Sequence, residues 1–191
     1  MGTETKNSIA LKKTVTPEFR VSFPQVFEAK SFQGNPAKFS IVMLFDKKTD
    51  LTALKKIALY VATEKWGAKE KWPKGLKMPF RDGDEKADTL GYEGCIFVTA
   101  TSKLKPGLVG PSLEPILNQA DFYAGCYARA EIIAFAYDTA GNRGVSFSLQ
   151  NIQKLRDGES LSGRKAAASV FDAVADTSES AESYGEEAFG F

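Results

Sequence analysis

Aromatic and basic side chains share one face of the segment from Tyr123 to Tyr137, which has the period-two pattern of a β-strand. Tyr123, Tyr127 and Arg129 lie on that face. Flat rings stack on nucleobases for about 1 to 3 kcal/mol each and cations neutralise phosphates, so this combination predicts a surface for single-stranded nucleic acid. The remaining candidates for the same surface are Lys38, Phe39, Trp72, Phe97, Lys103 and Lys105.

Each of these aromatic side chains also has a simpler interpretation as a core residue. Periodicity alone does not decide which face of a strand is inside, which leaves Phe39 and Phe97 open. Trp66 and Trp72 lie among lysines and could stack on bases, or they could fasten the surrounding segment onto the rest of the domain. For these aromatic side chains, base stacking and core packing both remain open from the sequence.

Several catalytic chemistries are excluded by composition. The sequence contains no histidine, which excludes Ser-His-Asp and Cys-His nucleophiles and zinc sites with imidazole ligands. Two cysteines, Cys95 and Cys126, are too few for a four-thiolate metal site. Both lie in apolar runs, which predicts buried free thiols in a reducing compartment. We therefore expect no enzyme of these classes and no cofactor.

Two stretches resemble catalytic motifs without matching them. Residues 158–165 approach the phosphate-binding loop G-x-x-x-x-G-K-[ST], but Arg164 stands in place of the lysine and Lys165 in place of the hydroxyl residue. The stretch from Asp82 to Asp88 contains four carboxylates that could hold Mg²⁺ for a nuclease. It lacks the spacing of a calcium loop, and such clusters are usually solvated loops. A nuclease is kept as the enzymatic alternative.

The near-neutral net charge of +1 hides a strong asymmetry. Residues 172–191 contain six carboxylates and no Lys or Arg, so the rest of the chain has 25 basic residues against 18 acidic ones. Ten of those basic residues, against three acidic ones, lie in residues 47–81. This division is typical of a body that attracts polyanions and an acidic segment that competes with them, and equally of a solvated lysine-rich helix with a solubilising tail.

The hydrophobic pattern predicts five strands and one main helix. The helix runs from Leu51 to about Lys65 behind Asp50 as a candidate cap, and residues 66–91 follow it as a long insertion. A hairpin turn at residues 138–143 joins the last two strands. The predicted strands are residues 19–23, 38–45, 94–101, 123–137 and 144–152.

Five strands with one intervening helix favour a small closed barrel, which removes the exposed edges of a sheet. The small residues at even positions of the long strand, from Cys126 to Ala136, suit a tight interior. We predict a mainly β fold with a flexible arm (1–17), one nucleic-acid-binding domain (18–171) and an acidic disordered tail (172–191). A short Ala-rich helix is predicted over residues 164–175.

No apolar run reaches the roughly 18 residues that a membrane span requires, and the first residues lead into no apolar core of a signal peptide. We therefore expect a soluble, cytosolic protein with no membrane partner.

Five short blocks carry a family resemblance: NPAKFS (35–40), LFDK (44–47), FYAGCYARA (122–130), FAYD (135–138) and GVSFSLQNIQ (144–153). They resemble the blocks of a phage and prophage family of OB-fold single-stranded DNA-binding proteins, over about residues 19–171. The plan is also similar to that of podophage replication proteins whose acidic tails carry a terminal aromatic residue. Here the corresponding tail residues are Glu186, Glu187, Phe189 and Phe191.

The resemblance implies a five-stranded OB-fold barrel with a helix and a long insertion between strands 2 and 3. It further implies a non-catalytic coat on single-stranded DNA during phage replication or recombination, in the cytoplasm of an infected or lysogenic bacterium. The tail would exchange between the DNA groove and phage or host partner enzymes. An RNA-preferring OB protein remains open, because no residue reports on a 2′-hydroxyl, and the oligomeric state, a homodimer included, is undecided.

Overall fold

The computed structural model describes residues 10–31 and 33–162, which form eight strands and one long α-helix. The order along the chain is β1 (Lys13–Val15), β2 (Phe19–Lys30), β3 (Lys38–Asp46), α1 (Thr52–Trp66), β4 (Phe80–Asp82), β5 (Cys95–Ser102), β6 (Gly107–Val109), β7 (Tyr127–Thr139) and β8 (Asn142–Arg156).

Five of the strands pair in a ring. β2 pairs with β3, β3 with β5, β5 with β8, β8 with β7, and β7 returns to β2. The β5–β8 pairing is parallel and the others are antiparallel. The three short strands are additions to this ring: β1 pairs with β7, β4 with β5 and β6 with β8. The mainly β prediction is confirmed, while the count of five strands missed these three.

The core lies between the inner faces of the ring and α1. The helix buries Leu54, Ile57 and Val61 and packs against β7, β8 and β1. Its backbone begins at Thr52, whose N–H donates to the Asp50 carboxylate at 2.9 Å, so Asp50 satisfies one N–H of the first turn.

The small inner face predicted for the long strand is confirmed for most of its length. Ala128, Ala130, Ile132 and Ala134 are buried, and Ala136 is half-buried. The alanines at these positions leave room for the larger core rings, which are Phe19, Phe45, Phe122 and Phe147.

Several element boundaries differ from the predictions. β2 does not stop at Pro24 but continues through a bulge to Lys30. β7 begins at Tyr127, so Tyr123 lies before the strand rather than in it. Residues 13–15, assigned to the flexible arm, form β1.

The hairpin and the insertion agree more closely with the predictions made from the sequence. Ala140 (φ 48°) and Gly141 (φ 79°) take the two left-handed positions of the β7–β8 turn. The insertion is ordered around Trp66 and Trp72, both packed against the core, and the Trp72 indole N–H donates to the Gly67 carbonyl at 2.9 Å. These contacts agree with the fastening interpretation of the two indoles.

Within the residues that the structure describes, no helix is long and apolar enough to cross a membrane. The predicted helix over residues 164–175 and the acidic segment 172–191 lie outside the described residues.

Candidate nucleic-acid interface

A cleft of about 870 Å³ opens beside the end of β5 and the outer faces of β7 and β8. We call it the main cleft. It contains three of the predicted cations and one exposed ring. Its lining residues are Lys38, Thr101, Ser102, Lys103, Leu104, Lys105, Gly107, Ile133, Phe135, Ser148, Leu149, Gln150 and Asn151.

Strand register explains why the cations meet. Phe39 is the pairing partner of Ser102, so the first residue of β3, Lys38, lies beside the last residue of β5. The chain leaving β5 then carries Lys103 and Lys105 along the same cleft. All three lysines are exposed, and within the described residues none of them forms an ion pair. Their positive charge is therefore available to a ligand.

The wall opposite these lysines consists of apolar side chains and uncharged polar side chains. Phe135 is 40% exposed and lies on the outer face of β7, next to Ile133. Amides and hydroxyls of β8 complete the wall, and none of the described lining residues is Asp or Glu. Phe135 was placed on the correct face from sequence but was not among the candidates. The signal that could have identified it was its place on the tyrosine face of the long strand.

The other predicted residues on that face form a separate group at the opposite end of β7, and none of them lines the main cleft. The Tyr123 hydroxyl lies 3.0 Å from both the Asp157 carboxylate and the Gly158 carbonyl. Lys154 lies 5.4 Å from the centre of the same ring and 2.7 Å from Asp157. Partial burial raises the pKa of the Tyr123 hydroxyl, while Lys154 and the hydroxyl of Tyr123 lower the pKa of Asp157.

Tyr127 and Arg129 are also engaged within the protein. The Arg156 guanidinium lies 3.4 Å from the centre of the Tyr127 ring, and Arg156 pairs with Glu18 at 2.6 Å. The Arg129 Nε donates to the Gln153 side chain at 2.9 Å. Tyr127 is therefore half-buried beneath a cation that a stacking base would have to displace.

Phe39, Phe97 and Trp72 are less accessible. Phe39 is half-buried on the strand face that also buries Ile41. Phe97 is 5% exposed, packs edge-on against Tyr92 and has the Lys86 ammonium 5.3 Å from its ring centre. Trp72 packs on the core, as described above. None of the three presents an open ring face in the main cleft.

A smaller cavity of about 260 Å³ lies on the outer face of β4 and β5. Lys77 and Arg81 supply its cations and Tyr137 an aromatic ring. Sequence reasoning did not select these residues, although Lys77 and Arg81 belong to the basic segment 47–81. The missing information was β4, which pairs Arg81 with Phe97 and so brings the insertion onto the sheet.

Two of the four carboxylates considered for Mg²⁺, Asp82 and Asp84, pair with a lysine. The Lys47 ammonium lies 2.9 Å from Asp82 and also pairs with Asp84. Hydrogen bonds to these two carboxylates raise the pKa of Lys47 to about 12, and the same bonds lower the pKa of both acids. Asp84 also accepts the Gly94 backbone N–H at 2.7 Å. Within the described part of the chain, no three His, Cys, Asp or Glu residues group as metal ligands would.

Residues 158–162, the described part of the stretch compared with a phosphate-binding loop, contact the rest of the domain through their backbone. The Leu161 N–H donates to the Ala124 carbonyl at 2.8 Å, and the Arg20 guanidinium donates to the Glu159 carbonyl at 2.8 Å. Residues 163–165 lie outside the described part.

Comparisons with known proteins match this chain to proteins of bacteriophages. A family model described as the single-stranded DNA-binding protein of Enterobacter phage Enc34 matches residues 12–182. A protein named p50, from Acyrthosiphon pisum secondary endosymbiont phage 1, is 34% identical over 155 residues, which are 75% of this chain and 83% of that protein.

Two solved structures share the fold. The single-stranded DNA-binding protein of bacteriophage Enc34, in complex with single-stranded DNA, has a TM-score of 0.67 at 18% identity, covering 78% of this chain and 89% of that one. The single-stranded DNA-binding protein gp2.5 of bacteriophage T7 has a TM-score of 0.59 at 11% identity, covering 82% of this chain and 98% of that one.

Proposed function

This chain belongs to the family of the phage Enc34 single-stranded DNA-binding protein, and from that premise we propose that it binds single-stranded DNA in the main cleft with little sequence preference. Proteins of this family bind DNA without catalysing a reaction, and the chain is accordingly not an enzyme.

The observation that carries the proposal is the composition of the main cleft. Three exposed lysines without ion-pair partners face an exposed phenylalanine, and no carboxylate lines the cleft among the described residues. Cations that follow the backbone, together with a ring on which a base can stack, are what sequence-tolerant binding of a single strand requires. Lys38, Lys103, Lys105 and Phe135 are the proposed contacts.

We further propose that the ring of five paired strands is an OB-fold barrel. The parallel β5–β8 pairing and the return of β7 to β2 support this topology. OB folds bind oligonucleotides on one outer face and its adjoining loops. The smaller cavity with Lys77, Arg81 and Tyr137 lies on the outer face of β5 and would extend the DNA path.

The biological role that fits is a protective coat on single-stranded DNA during phage replication or recombination, in the cytoplasm of the host bacterium. Residues 172–191 would compete with DNA through their six carboxylates, and Phe189 and Phe191 would contact partner enzymes. These roles rest on the charge pattern and on the family.

A titration of the full chain tests the proposal. Labelled oligo-dT, oligo-U and a DNA duplex of equal length are added at equal salt, with and without Mg²⁺, and binding is followed by fluorescence anisotropy. We expect oligo-dT to bind most tightly and to remain intact. Tighter binding of oligo-U would instead indicate an RNA-binding protein, Mg²⁺-dependent cleavage a nuclease, and equal affinity for the duplex would contradict a cleft that stacks unpaired bases.

A further inference from the structure

Phe23 has an unusual backbone and an unusual side-chain position for a residue inside a strand. Its φ is 41°, in the left-handed region that residues with a Cβ rarely adopt, and its side chain is 58% exposed. Strand alternation would place Phe23 on the inner face with Phe19 and Val21, which are both buried. The bulge between Ser22 and Gln25 turns the ring outward, and Val26 becomes the next buried residue.

The exposed ring borders a cavity of about 300 Å³ that is separate from the main cleft. Leu90, itself 56% exposed, and Leu161 line it together with Pro24, and Lys30 supplies the one cation among the described lining residues. No Asp or Glu is among those described residues. The cavity thus combines an open aromatic ring, an apolar floor and a positive charge.

Strand register connects this cavity to the main cleft. Lys30, which lines the Phe23 cavity, is the cross-strand partner of Lys38, which lines the main cleft. Like charges placed opposite each other on paired strands repel. Within the described residues neither lysine has a carboxylate partner to relieve that repulsion. A phosphate between them would relieve it.

We propose that Phe23 is a second base-stacking position and that a single strand leaves the main cleft over the Lys38–Lys30 pair to reach it. This inference rests on the proposed DNA-binding function and adds a site to it. The strained backbone of Phe23 holds the ring where a base can stack, and strain of this kind is typical of functional positions. The main cleft alone would hold a short oligonucleotide, whereas a longer one would also engage Phe23.

The test uses Phe23→Gly in the full chain. Glycine adopts a φ of 41° without a Cβ clash, so this substitution removes the ring while preserving the backbone. The matched control is Leu113→Gly, because Leu113 also has a positive φ (69°) and an exposed apolar side chain (69%), but lines neither cavity. A Phe23→Trp variant should retain stacking.

Affinities for oligo-dT of about 4 and about 16 nucleotides, the range that one OB fold covers, separate the two sites. We expect Phe23→Gly to weaken binding of the longer oligonucleotide by about 5- to 150-fold, the loss of one stacked base, and to leave the shorter one unchanged. Leu113→Gly and Phe23→Trp should bind both as the unmodified protein does. Thermal melts should show that Phe23→Gly is no less stable than Leu113→Gly.

The possible outcomes are distinct. If the unmodified protein binds neither oligonucleotide, the proposed function itself fails. If it binds both and Phe23→Gly binds the longer one equally well, the stacking site is refuted while the proposed function stands. If Phe23→Gly changes the mass measured by light scattering without changing DNA affinity, the ring belongs to a protein interface and the stacking site is again refuted.

Discussion

The Arg156 guanidinium covers the Tyr127 ring at 3.4 Å from its centre, and Glu18, the residue before β2, pairs with Arg156 at 2.6 Å. Gly158 lies against the same ring, so closely that a Cβ at Gly158 would meet Tyr127 Cε2 at 2.8 Å. Tyr127, one of the two tyrosines that the sequence favours for stacking, is therefore already in contact with the protein's own chain.

Tyr127→Ala should consequently affect stability more than binding. Removing a half-buried ring loses about 1 to 2 kcal/mol of apolar contact, and the affinity for oligo-dT should change less than threefold. Urea denaturation and anisotropy titrations on the same preparation measure both quantities. An affinity loss of about 1 to 3 kcal/mol at unchanged stability would show that a base does displace Arg156.

Phe135→Ala should show the opposite behaviour. The ring is 40% exposed in the main cleft, so its loss should reduce oligo-dT affinity by about 1 to 3 kcal/mol and leave the melting temperature nearly unchanged. Tyr60→Ala is the matched control, because Tyr60 is an aromatic residue with 37% exposure on α1, outside the cleft. Equal affinities for the two variants would argue against stacking on Phe135.

The double substitution Lys103→Ala, Lys105→Ala should reduce the salt dependence of binding. Each phosphate contact to a single strand contributes about 0.7 to the slope of log K against log salt, so losing two should lower the slope by about 1.4. The control is Lys55→Ala, Lys56→Ala, which removes two exposed lysines from α1. If the control variant shows the same fall in slope, the effect is one of overall charge and does not locate the DNA in the main cleft.

Asp84→Asn should destabilise the protein only where Asp84 is ionised. Because Lys47 lowers the pKa of Asp84 in the folded state, the pair stabilises the fold above the unfolded-state pKa of about 3.9, and this contribution is lost as the pH falls through the lower folded-state value. Urea denaturation should therefore show a less stable variant at neutral pH and convergence with the unmodified protein in strong acid. Asn still accepts the Gly94 N–H, so the difference reports the charge.

Asp88→Asn is the control for this experiment. Asp88 is an exposed acid of the same predicted cluster, and it has no ion pair among the described residues. Asp88→Asn should unfold at the same urea concentration as the unmodified protein, both at neutral pH and in strong acid. A difference for Asp84→Asn that persists at low pH would mean that packing rather than charge is responsible.

What the sequence predicted well was set by short-range periodicity. The inner face of β7 and the helix α1 follow directly from alternation and from helical spacing. The hairpin turn within residues 138–143 follows from the local preference of Gly141 for a positive φ, whereas the positive φ of Ala140 (48°) does not follow from the preference of alanine.

What the sequence missed depends on contacts between distant segments. The bulge that turns Phe23 outward is visible only in the pairing of β2 with β3, and β4 forms only because β5 is present to pair with it. The sequence named the three lysines of the main cleft, but their placement in one cleft depends on the register across β3 and β5, which brings Lys38 beside Ser102. Alternation correctly placed Tyr127 on the outer face, but it gave no information on the cation that covers it.

The acidic segment 172–191 carries six carboxylates and no basic residue. On the same chain as the lysine-lined cleft, its local concentration near the cleft would be about millimolar for a short flexible connection. Removing the segment should therefore tighten oligo-dT binding several-fold at low salt. The gain should be smaller at about 0.15 M salt, where the Debye length is only about 8 Å and competition between charges is already screened. Anisotropy titrations at the two salt concentrations measure this.

Two variants that retain the length of the segment separate its charge from its aromatic residues. Replacing the six acids by Asn and Gln should reproduce the tighter binding of the deletion, because the competition is electrostatic. Replacing Phe189 and Phe191 by Ala should leave DNA affinity unchanged and should weaken co-purification with replication or recombination enzymes, since aromatic rings fill apolar pockets that carboxylates do not. Unchanged DNA affinity in the neutralised variant would rule out competition by the segment, and undiminished co-purification of the alanine variant would rule out the aromatic contact.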